Sequence, residues 1–325
     1  MFDSLLVEFL TETPLFTDDF VNPYGYEFDS VPVFEDSILR YRIEELNALS
    51  PFHFIYNEEV RNYIYYFSSK KRGFISRAMA RAEFYFPIFE EMLDKYQLPL
   101  ELKYLAIVES ALNPNAKSRA GAVGLWQFMP GTGKMYGLSF NSQLDLRREI
   151  YQSTEAACRH FVDLFQIYHD WNLVLAAYNA GPGNVNRAIK KSDYATGYWE
   201  IYEFLPKETR GYVPAFIAVN YLMNYSMHHN IYAAANDIEF ELQQIDTIGV
   251  NEKITFKQLS EITSISLATI EYLNPQYPKK YIPAKTWHPM ILTLPREGIN
   301  RYIDHQRNIE LLEANSAMQQ NQNGQ

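Results

Sequence analysis

Cysteine, clustered basic residues and long apolar runs are all scarce in this chain. Cys158 is the only cysteine in 325 residues, so no internal disulfide can form and the fold must be held by packing. The segment around Cys158 has the pattern of an amphipathic helix, where a buried, unreactive thiol is expected. His160 does not suggest a Cys–His pair, because side chains two positions apart on a helix do not face each other.

No excess of positive charge is present. The formal net charge is −10 and the isoelectric point is near 5.3. This balance argues against nucleic acid as the main partner, since phosphate binding needs clustered Lys and Arg. Aromatic residues, in contrast, make up 15% of the chain and include 25 tyrosines. Such side chains suit stacking on sugar rings, although many of them must belong to the core.

Signals for a membrane segment or a metal site are also missing. Glu8 interrupts the apolar run at the amino terminus, which carries acids where a signal peptide has basic residues. Neither a signal peptide nor a membrane-spanning helix is therefore predicted. The seven histidines show no metal-ligand spacing, and the adjacent His228 and His229 would diverge on a helix. We expect no metal and no other cofactor.

The hydrophobic pattern predicts a helical domain preceded by an arm. Residues 1–45 are acidic and rich in Phe, Tyr and Pro without a sustained period, which predicts an irregular arm. Residues 46–235 are expected to form one helical domain, because apolar residues recur at helical spacing and strand-like segments are almost absent. Within this domain, helices are predicted at about 100–109, 123–136, 153–168, 171–180, 182–190 and 210–226.

The composition changes after residue 236. A weakly alternating segment at 239–250, helical patterns at 255–262 and 266–272, and a closing strand at 290–295 predict a small α+β module over residues 236–298. Residues 299–325 are assigned to a tail. Its end, from residue 315, is rich in Gln and Asn and is expected to be disordered.

A single carboxylic acid ends a strongly apolar run. Pro99 is well placed to start a helix that continues to Glu109, and Asn113-Pro114 marks its end. A carboxylate near the carboxyl end of a helix and against apolar walls has its pKa raised, as a general acid requires. A capping or salt-bridging glutamate is the alternative interpretation of Glu109.

Residues 109–114, 118–130 and 177–185 together resemble the lytic transglycosylases with a goose-lysozyme-like SLT domain, in particular their membrane-bound D group. The resemblance is collinear over roughly residues 50–225. Residues 236–298 similarly resemble a divergent LysM module, with Asn251–Thr255 in place of the usual Gly-Asp-Thr opening. The implied fold is mainly α: a lysozyme-like helical catalytic domain with a small α+β LysM-like carboxy-terminal module.

The resemblance also implies an activity. The family cleaves the β-1,4 bond between N-acetylmuramic acid and N-acetylglucosamine in peptidoglycan, forms 1,6-anhydromuramic acid ends and needs no cofactor. One glutamate, here Glu109, protonates the leaving oxygen and then accepts the C6 hydroxyl proton. The implied partner is the peptidoglycan glycan strand, and the implied location is the periplasm or cell envelope. Association with an outer membrane, through a segment outside these residues, is an expectation of the same kind.

Seven further positions match substrate-binding positions of the family. Three are expected to line the cleft, two tyrosines to approach the acid, an asparagine to hold a loop or the substrate, and a second glutamate to form a supporting pair with Arg210. In that order they are Ser118, Gln127, Met129, Tyr178, Tyr212, Asn179 and Glu208. The alternatives are a surface residue for Gln127, a core-filling residue for Met129 and a purely structural role for Asn179. Asp145 and Arg147 are interpreted as a loop clamp.

Two other functions remain open from the residues alone. If Glu208 is a second catalytic carboxylate, the protein is a lysozyme-like or chitinase-like hydrolase, because such enzymes pair two carboxyl groups. A catalytically silent peptidoglycan-binding protein is the other alternative. A lone buried acid at Glu109 argues against it, because binding alone does not require one.

Overall fold

The computed structural model divides the chain into two units. It describes residues 22–27, 29–234, 244–284 and 289–322, with side chains described to residue 316. The first unit comprises Met1–Leu138 and Ile150–Asn236, and the second comprises Ser139–Glu149 and Asp237–Gln325. The second unit is therefore built from two separate stretches of chain.

The first unit is helical, which confirms the predicted class. Its helices are α1 (Asp36–Ala48), α2 (Glu58–Tyr65), α3 (Arg72–Lys95), α4 (Leu105–Ser110), α5 (Pro130–Met135), α6 (Ile150–Tyr168), α7 (Trp171–Ala180), α8 (Pro182–Lys191), α9 (Tyr198–Ile201), α10 (Lys207–Arg210) and α11 (Tyr212–Tyr225). A π-helical turn, Tyr66–Lys70, joins α2 to α3, and 3-10 turns lie at Leu100–Tyr104, Tyr202–Phe204 and Ser226–His229. No helix in the described ranges combines the length and apolar character needed to cross a membrane.

α11 is the central helix of the first unit. It is strongly apolar, and every residue from Tyr212 to Leu222 is buried, which is typical of a helix enclosed on all sides. It packs against α2, α3, α4 and α7. The Phe216 ring of α11 lies 5.3 Å from the Phe52 ring. This packing fixes the start of α11, at Tyr212, relative to α4.

The predicted helix over 123–136 is wrong in its first half. Only Pro130–Met135 is helical, and Pro130 occupies the first helical position, which proline favours. Before it, Val123 forms isolated antiparallel bridges with Lys117 and Phe128. Gly124 and Gln127 have φ values of +92° and +48°, which a right-handed helix does not allow. The apolar spacing in this segment therefore belongs to a buried loop.

The predicted irregular arm is also too long. α1 begins at Asp36, because Leu39 and Ile43 lie one turn apart on one face and are buried. Residues 22–27 and 29–34 have no regular structure but are tied to the end of the domain: Asn230 Nδ2 donates to the carbonyls of Glu27 and Ser30, both at 3.0 Å. Residues 1–21 and 28, which the same prediction covers, lie outside the described residues.

The second unit has the predicted β-α-α-β order. β1 (Ile245–Val250) pairs antiparallel with β4 (Met290–Pro295), in a register that places Ile245 opposite Pro295. A smaller antiparallel pair joins β2 (Ile254–Thr255) to β3 (Tyr281–Ile282), and α12 (Phe256–Thr263) and α13 (Leu267–Leu273) lie between these strands in sequence. Thr255 and Gln258 form a capping box at the start of α12. Residues 239–243 of the predicted first strand lie outside the described residues.

The predicted limits of this module differ from the structure at both ends. α14 (Arg296–Gln322) occupies most of the expected tail, and Ile299 and Tyr302 of this helix are buried in the module core. Leu144, from within the predicted helical domain, belongs to the same core. Because apolar side chains from both sides of residues 236–298 share the core of this module, the predicted domain over these residues is too short.

The predicted clamp between Asp145 and Arg147 is present in the second unit. Arg147 Nε and Nη2 donate to the two Asp145 carboxylate oxygens at 2.9 and 2.8 Å, and both residues are buried. The Asp145 N–H donates to the Gln276 carbonyl at 2.8 Å. This two-pronged pair, with its backbone link to residue 276, holds residues 139–149 against the rest of the module.

Candidate active site

Glu109 lies in the last turn of α4, as predicted. The chain turns sharply after it, because Ala111 and Leu112 adopt left-handed conformations with φ of 52° and 57°. The Ala111 N–H donates to the Ile107 carbonyl at 2.8 Å, which satisfies one of the carbonyls left unpaired at a helix end. Ser110 Oγ donates to the Leu125 carbonyl at 2.8 Å. The end of α4 is therefore joined directly to the loop that follows.

Tyr212 meets Glu109 across the domain. Its hydroxyl donates a hydrogen bond to Glu109 Oε1. Burial raises the pKa of Glu109 to about 7, and the hydrogen bond from Tyr212 acts in the opposite direction by stabilising the ionised form. Burial first, and then the Glu109 charge, raise the pKa of Tyr212 well above its usual value, so the phenol stays protonated. The carboxyl can therefore hold or release a proton near neutral pH beside a permanent donor.

Tyr212→Phe is expected to raise the pKa of Glu109 further, because the ionised carboxylate loses a hydrogen bond while burial remains. A rise of about one unit corresponds to ~1.4 kcal/mol, an ordinary value for a hydrogen bond to a charged group. Carbon-13 NMR titration of the glutamate carboxyls, with Glu109→Gln to assign the signal, measures it. The matched control is Tyr178→Phe, which removes a hydroxyl bonded elsewhere. An unchanged or lower pKa in Tyr212→Phe would contradict the expectation.

Tyr178 lies close to the acid but does not bond it. Its hydroxyl donates to the Trp126 carbonyl at 2.7 Å, and its ring stacks on Phe161 at 5.1 Å between centroids. The Glu109 charge contributes, after burial, to raising the pKa of Tyr178 well above its usual value. α7 ends two residues later, at Ala180, and Gly181 follows with φ of +80°. Tyr178 therefore joins the loop before α5 to the end of α7.

Asn179 has a structural contact. Its Oδ1 accepts a hydrogen bond of 3.0 Å from Thr209 Oγ1, and Thr209 is buried on α10. This bond links the end of α7 to the short helix that precedes Tyr212. The predicted alternative, in which Asn179 holds a loop, is consistent with this contact.

Ser118 and Gln127 both hold the loop between α4 and α5. Ser118 Oγ accepts from the Ala122 N–H at 3.0 Å, and Gln127 Nε2 donates to the carbonyls of Ala116 and Gly124 at 3.2 and 2.8 Å. Both side chains are buried. Within the described part of the chain, Gln127 Oε1 is a buried acceptor without a hydrogen-bond donor. Gln127 is thus a buried residue and not the surface residue that was one alternative.

Met129 is exposed, in contrast to the core-filling alternative. Its residue is 41% accessible, and it immediately precedes α5. An accessible thioether beside a buried polar loop offers apolar contact area to a ligand. Met129 is thus the most accessible of the three residues predicted to line the cleft.

The expected pair between Glu208 and Arg210 is wrong. Arg210 Nη1 pairs with Glu203 Oε2 at 2.8 Å, and Arg210 Nε donates to the Leu205 carbonyl at 3.1 Å. Glu208 is exposed on α10. Because α10 is only one turn long and follows Pro206, the Arg210 side chain reaches back to the preceding turn instead of along its own helix.

A polar group beside Tyr178 was not predicted. His160 Nδ1 lies 2.9 Å from the Tyr136 hydroxyl, which donates to Asp163 Oδ2 at 2.7 Å, and the His160 ring lies 5.2 Å from the Tyr178 ring. Burial lowers the pKa of His160 to about 4 despite Asp163, so the imidazole is neutral at pH 7. The signal in the sequence was the spacing of His160 and Asp163 on one helical face.

Cys158 is fully buried, and burial raises its pKa to about 12, as expected for an unreactive thiol.

Two domain families match this chain. Residues 86–201 match the transglycosylase SLT domain, and residues 244–311 match the LysM-like domain of the lytic transglycosylase MltD. The chain carries an SLT domain and an MltD-type LysM-like domain. Glu109, Ser118, Gln127, Met129, Tyr178 and Asn179 lie inside the SLT match, whereas Glu208 and Tyr212 follow it. The resemblance inferred from the sequence motifs is thereby confirmed.

Several lytic transglycosylases are similar to parts of this chain. Membrane-bound lytic murein transglycosylase D of Escherichia coli K12 is 31% identical over 209 residues, which are 63% of this chain and 45% of that protein. The soluble lytic murein transglycosylase of the same strain is 33% identical over 129 residues, 38% of this chain and 20% of that protein. The crystal structure of the 70 kDa soluble lytic transglycosylase of E. coli aligns with a TM-score of 0.38 and 28% identity, covering 48% of this chain and 26% of that one. The chain thus spans less than half the length of these relatives.

Proposed function

We propose that this protein is a peptidoglycan lytic transglycosylase. It would cleave the β-1,4 bond between N-acetylmuramic acid and N-acetylglucosamine and form 1,6-anhydromuramic acid ends. The observation that carries the proposal is the partly buried Glu109 carboxyl, with a pKa near 7 and a hydrogen bond from Tyr212, within an SLT domain. A carboxyl with this pKa can act as an acid and then as a base at neutral pH.

The proposed reaction uses one carboxyl group twice. Protonated Glu109 gives its proton to the glycosidic oxygen, and the bond from that oxygen to C1 of N-acetylmuramic acid breaks with its electron pair leaving on the oxygen. Ionised Glu109 then removes the proton of the C6 hydroxyl, whose oxygen forms a bond to C1 and closes the 1,6-anhydro ring. The carboxyl is protonated again, so neither water nor a cofactor is consumed. Tyr212 stabilises the ionised carboxylate between the two steps.

The environment of Glu109 supports this use of a single acid. Hydrolases pair two carboxyl groups flanking the scissile bond, and a second ionised carboxylate nearby would raise the Glu109 pKa. In the described part of the chain, burial, opposed by the Tyr212 hydrogen bond, accounts for the raised pKa of Glu109 without a neighbouring carboxylate. Glu208, the candidate second carboxylate, is exposed on α10.

We assign the remaining residues to binding and to shaping of the cleft. Met129 offers an accessible apolar contact, and Gln127 Oε1 offers an acceptor for a sugar hydroxyl or amide once substrate approaches. Ser118, Tyr178 and Asn179 keep the flanking loops in place through the contacts described above. Glu208 is proposed to contact the glycan from the exposed surface of α10.

Because the proposed substrate lies outside the cytoplasm, we propose that the protein acts in the cell envelope, in a periplasm. Its proposed partner is the glycan strand, with the net negative charge of the chain arguing against nucleic acid. The E. coli relative is named as membrane-bound. For this chain, outer-membrane association is a proposal that fractionation of the native cells can test.

The mass of the released products tests the proposed function. Purified sacculi are incubated with the protein, and the soluble fragments are analysed by mass spectrometry before any reduction. Transglycosylation adds no water, so each new muramic acid end is expected to be one water lighter than a hydrolysed end. Hydrated ends would establish a lysozyme-like hydrolase instead, and no release, together with retained binding to sacculi, would establish a glycan-binding protein.

A further inference from the structure

Two arginines on α3 form a cationic pair outside the acid site. Arg77 and Arg81 lie one turn apart, on the same face of the helix, and both are partly buried. Burial first, and then the positive charge of Arg81, lower the pKa of Arg77. Like charges at this spacing repel each other, so the pair is unfavourable unless something compensates for it.

Arg77 has no anion beside it. Across the described ranges, no carboxylate forms an ion pair with its guanidinium and no carbonyl accepts a hydrogen bond from it. The chain contains 39 acidic residues against 29 basic ones, so a shortage of acids does not explain this. Desolvation of a guanidinium without an anion beside it is unfavourable, and local departures of this kind are found at functional sites.

The pair lies at the end of the helix that carries Glu109. Arg81 Nη1 donates to the Ala111 carbonyl at 3.0 Å, just after the acid in sequence. Further along α3, Phe86 meets the Tyr104 ring at 5.5 Å, so α3 runs antiparallel to the chain leading to Glu109. Arg77 precedes Arg81 by one helical turn. Its backbone therefore lies about 6 Å from that of Arg81, in the direction that leads past the end of α4.

A glycine leaves room for the Arg77 side chain. A Cβ added at Gly73 would lie only 3.3 Å from the Arg77 Nη1 atom. The guanidinium is thus folded back along α3 towards its amino-terminal end, over a position without a side chain. Gly73 lies in the first turn of α3, and the Arg77 guanidinium packs over the space that its missing side chain leaves.

From this arrangement we infer that Arg77, with Arg81 beside it, binds a carboxylate of the substrate close to the scissile bond. The inference rests on the proposed function. In peptidoglycan, the N-acetylmuramic acid unit carries a peptide whose free carboxylates are the nearest anions to the bond that is cut. A guanidinium binds a carboxylate through two parallel hydrogen bonds. The protein is therefore selective for strands that keep their peptides.

Binding of two strand preparations tests this inference. One preparation consists of soluble, uncrosslinked glycan strands with peptides, and the other consists of the same strands stripped by an amidase. Affinity is measured by calorimetry in the Glu109→Gln background, so that no cleavage occurs. We expect peptide-bearing strands to bind roughly tenfold more tightly, and Arg77→Gln to abolish that difference, as for the loss of one charged hydrogen bond. Arg77→Lys, which keeps the charge but not the two-pronged geometry, is expected to retain part of it.

Arg40→Gln is the matched control, because it removes the same charge from an exposed position on α1. Equal binding of both preparations by the Glu109→Gln protein would overturn the inference, as would a preference that survives in Arg77→Gln. Circular dichroism and Tm show that each variant is folded. Cleavage of sacculi by the unmodified protein is recorded separately, so that absence of cleavage counts against the proposed function and absence of a peptide preference counts against this site.

Discussion

Glu109→Gln is expected to lower the rate of anhydro-product release by roughly a thousandfold or more. General acid–base catalysis by one positioned group contributes about 10²–10⁴-fold, and here the same carboxyl would serve in both proton transfers. The amide has the shape of the acid but can neither donate its proton to the leaving oxygen nor accept the C6 hydroxyl proton. Initial rates on sacculi, measured by mass spectrometry, give the ratio.

The variant should lose activity without losing stability. The pKa of Glu109 is raised from 4.5 to about 7 in the folded protein, so the folded state holds more protons than the unfolded state between these pH values. Stability therefore falls as the pH rises through this window. At ~1.4 kcal/mol per unit the loss reaches up to about 3 kcal/mol at pH 8. Glu109→Gln removes this destabilisation, because the amide does not ionise. Urea unfolding at pH 8 should therefore give a larger free energy of unfolding for the variant than for the unmodified protein.

Two further variants serve as comparisons for Glu109→Gln. Glu101→Gln, in the 3-10 turn before α4, removes a carboxyl of the same type and should change the rate by less than about threefold, as for a surface substitution. Glu208→Gln tests the second-carboxylate alternative directly. A loss as large as that of Glu109→Gln would make Glu208 the partner acid and hydrolysis the reaction. Full activity of the Glu109→Gln variant would exclude Glu109 as the catalytic acid.

The position of the acid could be predicted because local rules decide it. An apolar run after Pro99 that ends in a glutamate just before Asn113-Pro114 has few conformations other than a helix that stops there. The structure differs only in detail, with a 3-10 turn before α4 and left-handed residues after it. The strongly apolar α11 was predictable for the same reason, since a helix that is apolar on all sides must be buried.

The loop before α5 could not be predicted, because its side chains mimic a helix. Val123, Leu125, Trp126 and Phe128 are all buried, and their spacing fits a helical face as well as a folded loop. What excludes the helix is the backbone at Gly124 and Gln127, stabilised by the Gln127 side chain bonding to Ala116 and Gly124. Hydrogen bonds within residues 116–128 decided this segment, and the spacing of apolar residues does not record them.

The ion pair of Arg210 and the boundary of the second unit were predicted wrongly because sequence patterns do not record the contacts that decide them. Glu208 and Arg210 are close in sequence, but Arg210 reaches Glu203 because the chain turns at Pro206. Leu144 lies between two predicted helices and gives no local sign that its side chain completes a core formed mainly from residues 250–302. Segments that lie between elements in sequence can thus belong to a different unit in space.

Gly211→Ala is expected to lower activity by about a hundredfold and stability by about 1–3 kcal/mol. The backbone at Gly211 has φ of −80°, which alanine tolerates, so the obstacle is steric. A Cβ at this position would overlap the Tyr63 hydroxyl oxygen, and overpacking of a filled site costs about this much free energy. We expect the overlap to be relieved by a shift at the start of α11, which moves Tyr212 away from Glu109. A displacement near 1 Å in a catalytic site can cost about 10²-fold in rate.

Tyr63→Phe supplies the compensating change. Without the hydroxyl, the nearest atom to the added methyl group is the ring carbon Cζ at 3.2 Å, which small movements can accommodate. The double variant should therefore recover most of the activity and stability lost in Gly211→Ala, while Tyr63→Phe alone reports any separate role of the phenol. A double-mutant cycle, with rates on sacculi and urea unfolding, measures the coupling. If the two effects simply add, steric contact with Tyr63 is not what fixes Tyr212 beside the acid.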